Sequence, residues 1–139
     1  MVQSEAASGY KTTINAEQAA DHLTMCFQSQ LVPFLKGSPG IGKSDIYKQI
    51  AKKFRLKLID VRLSQCDPTD LSGFPFLNGA KASYKPMDTF PLEGDPVPAG
   101  YTGWLILLDE INSAAMAVQA ASYKLTLDRM VGNHRLHPK

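Results

Sequence analysis

The sequence predicts an α/β domain built on a largely parallel sheet. Two observations carry this reading. Amphipathic segments of helical period alternate with short apolar runs, in the order strand, helix, strand, long connection, strand, helix. One of the runs, Trp104 to Glu110 ("WLILLDE"), is continuously apolar until it ends in two acids, as expected of a strand buried on both faces. At 139 residues the chain is long enough for a single domain with a real core.

In chain order, residues 1–13 are small and polar and read as a flexible leader, ahead of a domain over 14–139. The stretch "NAEQAADHLTMCFQSQ" then predicts a helix. Asn15 is its cap, Gln18 stands at the capping-box position, and Ala19, Leu23, Cys26 and Phe27 form the buried stripe. "LVPFLK", residues 31–36, reads as a short strand in which Pro33 is awkward, because it has no N–H to give a neighbour. "KSDIYKQIAKKF" places Ile46, Ile50 and Phe54 at four-residue spacing among lysines, an amphipathic helix. "LKLIDVRLS", residues 56–64, interleaves branched and polar residues as a strand does. Residues 66–103 concentrate proline and glycine, too punctuated for long elements, and a connection of that length is usually functional. After the DE strand, "AAMAVQAASYKLTLD" is strongly helix-forming, with Val118, Ala121, Leu125 and Met116 as its apolar positions.

A formal net charge of +2 is too small to argue for a nucleic-acid or membrane surface, and neither partner is expected. Cys26 and Cys66 lie far apart without metal spacing, which fits free thiols in a reducing compartment. The first residues lack a signal-type apolar core, and no apolar run reaches the ~18 residues of a membrane span. A cytoplasmic location follows as an expectation.

The chemistry is concentrated in two places. Residues 37–44 read Gly-Ser-Pro-Gly-Ile-Gly-Lys-Ser, satisfying G-x-x-x-x-G-K-[ST] between an expected strand and an expected helix. Without Cβ atoms the glycines let the loop curl, so that backbone N–H groups converge on a polyphosphate, joined by the free N–H groups and positive dipole end of the helix that starts there. The candidate nucleotide-binding residues are Gly37, Ser38, Pro39, Gly40, Ile41, Gly42, Lys43, Ser44 and Asp45. Lys43 would reach the β- and γ-phosphates, and Ser44 would ligate Mg²⁺. The second place is Asp109-Glu110, at the carboxyl end of the buried strand, where ligands bind in open α/β sheets. Asp109 would hold the metal, usually through water, and Glu110 would orient or deprotonate the water that attacks the γ-phosphate. Catalysis would thus rest on Glu110 and Lys43.

At these motifs the sequence resembles the AAA+ ATPases, and more narrowly the MoxR group. "GSPGIGKSD" and "LILLDEINSA" match that group's two nucleotide motifs, and "IDVRLSQCDPTDLSGFP" and "AVQAASYKLTLDRMVG" resemble the segments beside them. The resemblance implies a P-loop NTPase with a doubly wound parallel sheet, using ATP and Mg²⁺ and working as a homo-oligomeric ring, commonly a hexamer. It further implies a protein client and, often, a partner with a von Willebrand factor A domain. Within the loop Asp67 to Gly103, it marks Phe74, Phe76 and Tyr84 as candidates for gripping that client, while a satellite core under the loop would use the same aromatics. Ser64 or Gln65, ending the strand expected beside the DE strand, could hydrogen-bond Glu110 and gate it. Members of the group continue with a sensor strand, an arginine finger, a fifth strand and a helical lid. None of these is found before Lys139, so an incomplete AAA+ core is expected, one that binds nucleotide better than it hydrolyses it.

Adenine contacts would come from segments near the amino end, Thr13 to Ala16, where no code is readable. His134 and His137 form an H-x-x-H without neighbouring acids or cysteines, for which a basic, fraying terminus is a simpler account than a metal pair. Two other functions compete with the ATPase motor: a nucleotide-dependent binding module with little hydrolysis of its own, and a P-loop phosphotransferase. Glu110 disfavours the latter, since a small-molecule kinase needs no water-activating acid after its metal-binding aspartate.

Overall fold

The structure is a computed structural model that describes residues 14–37 and 40–138. The expected leader, and Ser38 and Pro39 of the glycine loop, lie outside the described residues. The chain divides into two compact units between Ile50 and Ala51.

The first unit opens with α1, Ala16–Gln28. Its start is the capping box read from the sequence: Asn15 Oδ1 accepts from the Gln18 N–H at 2.8 Å, and the Asn15 N–H donates to Gln18 Oε1 at 3.0 Å. Ala19 and Leu23 of the expected stripe are buried, while Cys26 and Phe27 are only partly covered. Residues 31–37 form no strand, contrary to expectation. Leu31, Val32 and Phe34 are all well exposed, and Pro33 removes a donor from a segment that no described strand accompanies. Apolar residues specify a strand only where a neighbour completes the ladder. The glycine loop then leads into α2, Lys43–Lys53, whose Ile46, Tyr47, Ile50 and Ala51 are buried at helical spacing.

The second unit is organised by β1, Leu56–Arg62, and β4, Gly103–Asp109. They pair in parallel without interruption from Leu56 opposite Gly103 to Arg62 opposite Asp109. This is the parallel pairing the sequence predicts, in a sheet that has two strands among the described residues rather than the three expected. Thr102 locks the register from one end: its N–H donates to Arg55 O at 2.8 Å and its hydroxyl to Phe54 O at 2.7 Å. β4 is buried on both faces, as its sequence requires. Ile106 and Leu108 pack with Ile59 and Val61 into the main core, and Leu105 and Leu107 are buried on the opposite face.

The crossover between these strands is more ordered than its composition implied. A 3-10 turn, Leu63–Gln65, leads through the short α3, Pro68–Ser72, into an antiparallel hairpin of β2, Phe74–Asn78, and β3, Lys81–Lys85. The signal was Asn78-Gly79, a hairpin-turn dipeptide; Gly79 sits at φ 63°. After β4, a 3-10 turn over Ile111–Ser113 precedes α4, Met116–Tyr123, which continues as a π turn over Lys124–Asp128. Val118 and Leu125 face the core as expected, whereas Met116 is 86% exposed and contributes nothing to it.

The last residues are not a fraying tail. β5, Met130–Val131, and β6, His134–Arg135, form a hairpin whose Val131 is fully buried. Leu136 bridges to Leu92, and the His137 N–H donates to Pro91 O at 3.0 Å. Gly132 makes the turn at φ 57° against α3, where any Cβ would run into the Ser72 carbonyl oxygen. Val61, Leu63, Leu71, Phe90, Ala114, Val118, Leu125 and Val131 thus make one core from β1, the crossover, α4 and the terminal hairpin.

Leu63 has no exposed surface and sits at the junction of β1 and the crossover. Leu63→Ala should destabilise the second unit by about 2–5 kcal/mol through lost burial and the cavity left behind. The check is urea unfolding, with the midpoint lowered and the slope unchanged.

Candidate functional site

The glycine loop sits directly before α2, as its motif requires. Gly40 and Gly42 both adopt positive φ, 78° and 81°, and nothing among the described residues lies within 4 Å of where a Cβ on either would stand. Both turns are therefore open to an approaching group, and only glycine takes this backbone without strain. Gly42 then starts the helix: its carbonyl accepts from the Asp45 N–H at 3.1 Å and the Ile46 N–H at 3.2 Å. The Lys43 ammonium folds back across the loop and donates to Gly37 O at 2.7 Å. Ser44 is half-buried in the first turn, and Ile41 is exposed. Asp45 points along the helix surface, 3.5 Å from Lys48.

In the second unit, the parallel register brings the ends of β1 and β4 together. Asp109 is the last residue of β4, and its Oδ1 accepts from the Glu110 N–H at 2.8 Å. Glu110 then leaves the strand in a left-handed conformation, φ 59° and ψ 33°, uncommon for a residue with a Cβ. Its Oε2 accepts a hydrogen bond from the Ser64 hydroxyl. Of the two residues the sequence offered for this contact, Ser64 makes it. The 3-10 turn after β1 supplies the reason, by lifting Ser64 toward the end of the neighbouring strand.

Sequence reasoning passed over one neighbour of Asp109. Arg62 is the register partner of Asp109, on the same face of the sheet and exposed. The signal for it was the parallel pairing itself, which fixes who faces whom. Cys66 donates its thiol to Arg62 O at 3.2 Å. Burial pushes this thiol's pKa up, and the Asp70 and Asp67 carboxylates push it further the same way.

His134 and His137 make separate contacts. His134 Nε2 lies 3.3 Å from Tyr84 O, whereas the His137 ring packs on Trp104 with centroids 4.8 Å apart. Among the described residues, no group of three or more His, Cys, Asp or Glu is placed to hold a metal ion. Nor is any described helix long and apolar enough to cross a membrane.

A glycine loop opening onto a helix, with paired acids ending a buried parallel strand, belongs to the class of α/β nucleotide-binding domains. The comparison with protein families makes the assignment narrower: residues 33–134 match the model of the AAA domain, dynein-related subfamily. The chain belongs to this family, and with it come the P-loop NTPase fold, nucleotide binding and, in general, ATPase activity. AAA domains typically assemble into rings. No curated protein and no solved structure matches the chain.

Because its thiol is harder to ionise than usual, Cys66 should alkylate slowly at neutral pH. In a Cys26→Ser background, the rate of iodoacetamide labelling should inflect at a higher pH than that of a free cysteine peptide. Asp70→Asn should move that inflection down only part of the way, since burial is the larger cause.

Proposed function

We propose that this chain binds ATP with Mg²⁺ at the glycine loop and hydrolyses it as a subunit of a MoxR-type remodelling ATPase. The observation that carries the reading is the backbone of the loop, with Gly40 and Gly42 at positive φ opening onto the first turn of α2. Such a turn presents N–H groups and the helix dipole to an anion. Lys43 would exchange the Gly37 carbonyl for phosphate oxygens, a trade of one oxygen acceptor for a charged one. Gly37, Ser38, Pro39 and Ile41 would complete the cradle, with Asp45 behind it in the helix.

Mg²⁺ would be held by the Ser44 hydroxyl and the Asp109 carboxylate, oxygen ligands of the kind a hard divalent cation takes. When bound, the ion neutralises charge on the phosphates. Glu110 would hold the attacking water and accept its proton, and Ser64, now hydrogen-bonded to that carboxylate, would release it when nucleotide is in place. Arg62 would help to keep charge balanced beside Asp109.

The MoxR assignment is supported by the two motif segments and by a crossover that carries an exposed hairpin between them. On this reading the chain would work in a homo-oligomeric ring, commonly a hexamer, in the cytoplasm, acting on a protein client with a von Willebrand factor A domain partner. A second reading, a nucleotide-dependent switch that hydrolyses little on its own, is favoured by the Ser64 bond that occupies Glu110.

Three measurements on the longest natural form of the protein test the proposal. Glu110→Gln should keep ATP affinity and lose about 10²–10⁴-fold in turnover, the usual worth of a positioned base; normal hydrolysis would refute that role. Lys43→Ala should weaken ATP binding by about ten- to a hundredfold, the value of charged hydrogen bonds. Light scattering with ATP should report a ring, and a strict monomer at all concentrations would rule out the motor.

A further inference from the structure

We propose that the amino end of the β1–β4 pair is a binding surface for single-stranded nucleic acid. The proposal rests on this surface alone and not on the nucleotide reading.

The surface forms where α2 passes into β1. From Ala51 to Ile59 the chain carries Lys52, Lys53, Arg55 and Lys57 and no acidic residue. The formal net charge of +2 conceals this concentration: the other eleven Lys and Arg are outnumbered by thirteen Asp and Glu. All four cations are exposed, and among the described residues none of them is in an ion pair. Lys52 and Lys53 complement the carboxyl end of α2, whose dipole draws cations there. That account does not extend to Arg55 and Lys57, which lie beyond the helix. Arg55 takes the bend after α2 at φ 53°, where glycine is the ordinary residue. A charged side chain is thus carried at a position whose backbone does not ask for one.

Parallel pairing sets aromatic rings among these cations. The Thr102 N–H and hydroxyl donate to Arg55 O and Phe54 O, which brings the Tyr101–Thr102 segment against Phe54 and Arg55. Two residues on, Trp104 is the register partner of Lys57. Two of the three rings are engaged: the Lys53 ammonium lies 5.6 Å from the Phe54 centroid, and Trp104 packs on His137. Tyr101 is 46% exposed and has no ring partner among the described residues.

These features select the ligand. Every base offers a π-face to a tyrosine, and the phosphates between bases supply the counter-charge that the four cations lack. An acidic polypeptide would satisfy the cations without using the ring. A lipid surface would call for protruding apolar side chains, whereas Phe54 and Trp104 are half-buried. Only a strand whose bases are unpaired and unstacked can lay one on a side chain, which favours a single strand over a duplex. The surface is also remote from the acids: Gly103–Asp109 spans about 20 Å at the rise of a strand, and Asp109 ends it.

The test uses the full chain and a fluorescein-labelled oligothymidylate of about twelve nucleotides, enough to cover one such groove, read by anisotropy without ATP. Binding should weaken about 50-fold between ~50 and ~200 mM salt, as expected for four neutralised phosphates on a single strand. Arg55→Gly should reduce the slope of log affinity against log salt by about 0.7. Glycine suits that backbone, so the urea midpoint of this variant should not fall. Tyr101→Ser should cost about tenfold and leave the slope unchanged, as loss of one stacked base does. Lys43→Ala should bind as the parent does, which keeps this outcome separate from any failure at the glycine loop. Absence of binding, a parental slope in Arg55→Gly, parental affinity in Tyr101→Ser, or loss of binding in Lys43→Ala overturns the proposal. Equal affinity for an oligoglutamate of the same length would assign the surface to acidic proteins instead, and tighter binding to phosphatidylserine vesicles would assign it to a membrane.

Discussion

The second unit depends on the parallel pairing of β1 with β4. Parallel strands cannot be joined by a tight turn, so the chain must leave β1, travel, and re-enter beside it. Thr102 fixes where it re-enters, with its hydrogen bonds made to the turn that opens β1. From that clamp the register runs to Arg62 and Asp109 without a bulge. A slip of one residue would turn Ile106 and Leu108 out of the core and Leu105 and Leu107 into it, and would carry Glu110 past Ser64. The apolar pattern and the polar contact at the strand ends therefore enforce the same alignment.

Glu110 shows what the pairing makes possible. Its left-handed backbone costs about 1–2 kcal/mol relative to a helical or extended one. Two hydrogen bonds offset this, one from its own N–H to Asp109 and one from Ser64 to its carboxylate. The conformation has a geometric effect: the strand ends at Asp109 and the second acid turns away from its line. Adjacent acids continuing along a strand would point to opposite faces. Bending the chain between them lets both serve one end of the sheet, which explains why they can stand next to each other in the sequence.

Much of this was legible in the residues. The Asn15–Gln18 box, the stripes of α1 and α2, and the two-sided burial of β4 follow from spacing, because each is set by neighbours within a few residues or by uniform surroundings. The Ser64–Glu110 contact was within reach because two strand ends were expected side by side. Residues 31–36 were misread because an apolar run reports the wish for burial, whereas a strand also needs a ladder partner. Both hairpins escaped notice for a different reason. Phe74, Phe76 and Leu77 are exposed, so the strand lacks the in–out alternation that usually announces one, and only Asn78-Gly79 and Gly132-Asn133 marked the turns. Met116 was named among the apolar positions of its helix, yet it is exposed, because helix composition says nothing about which face a neighbour covers.

The crossover links the strand-end acids to the exposed hairpin by a short path. Ser64 touches Glu110; after Gln65, α3 begins at Pro68, and β2 starts at Phe74. Along that path Leu63 and Leu71 are essentially inaccessible, and Asp70 caps α3 by accepting from the Asp67 N–H at 2.8 Å. A packed segment of this kind moves as a body or not at all, since close-packed cores resist gradual deformation. A rotation of Ser64 that kept Leu63 seated would be absorbed at the side chain and would leave the hairpin where it is. A shift of the whole turn would have to carry Leu63 and Leu71 together, and with them the base of β2. Proximity alone therefore establishes no coupling between Glu110 and the hairpin. What the packing does fix is that any coupling passes through the seating of those two leucines rather than through the hydroxyl alone.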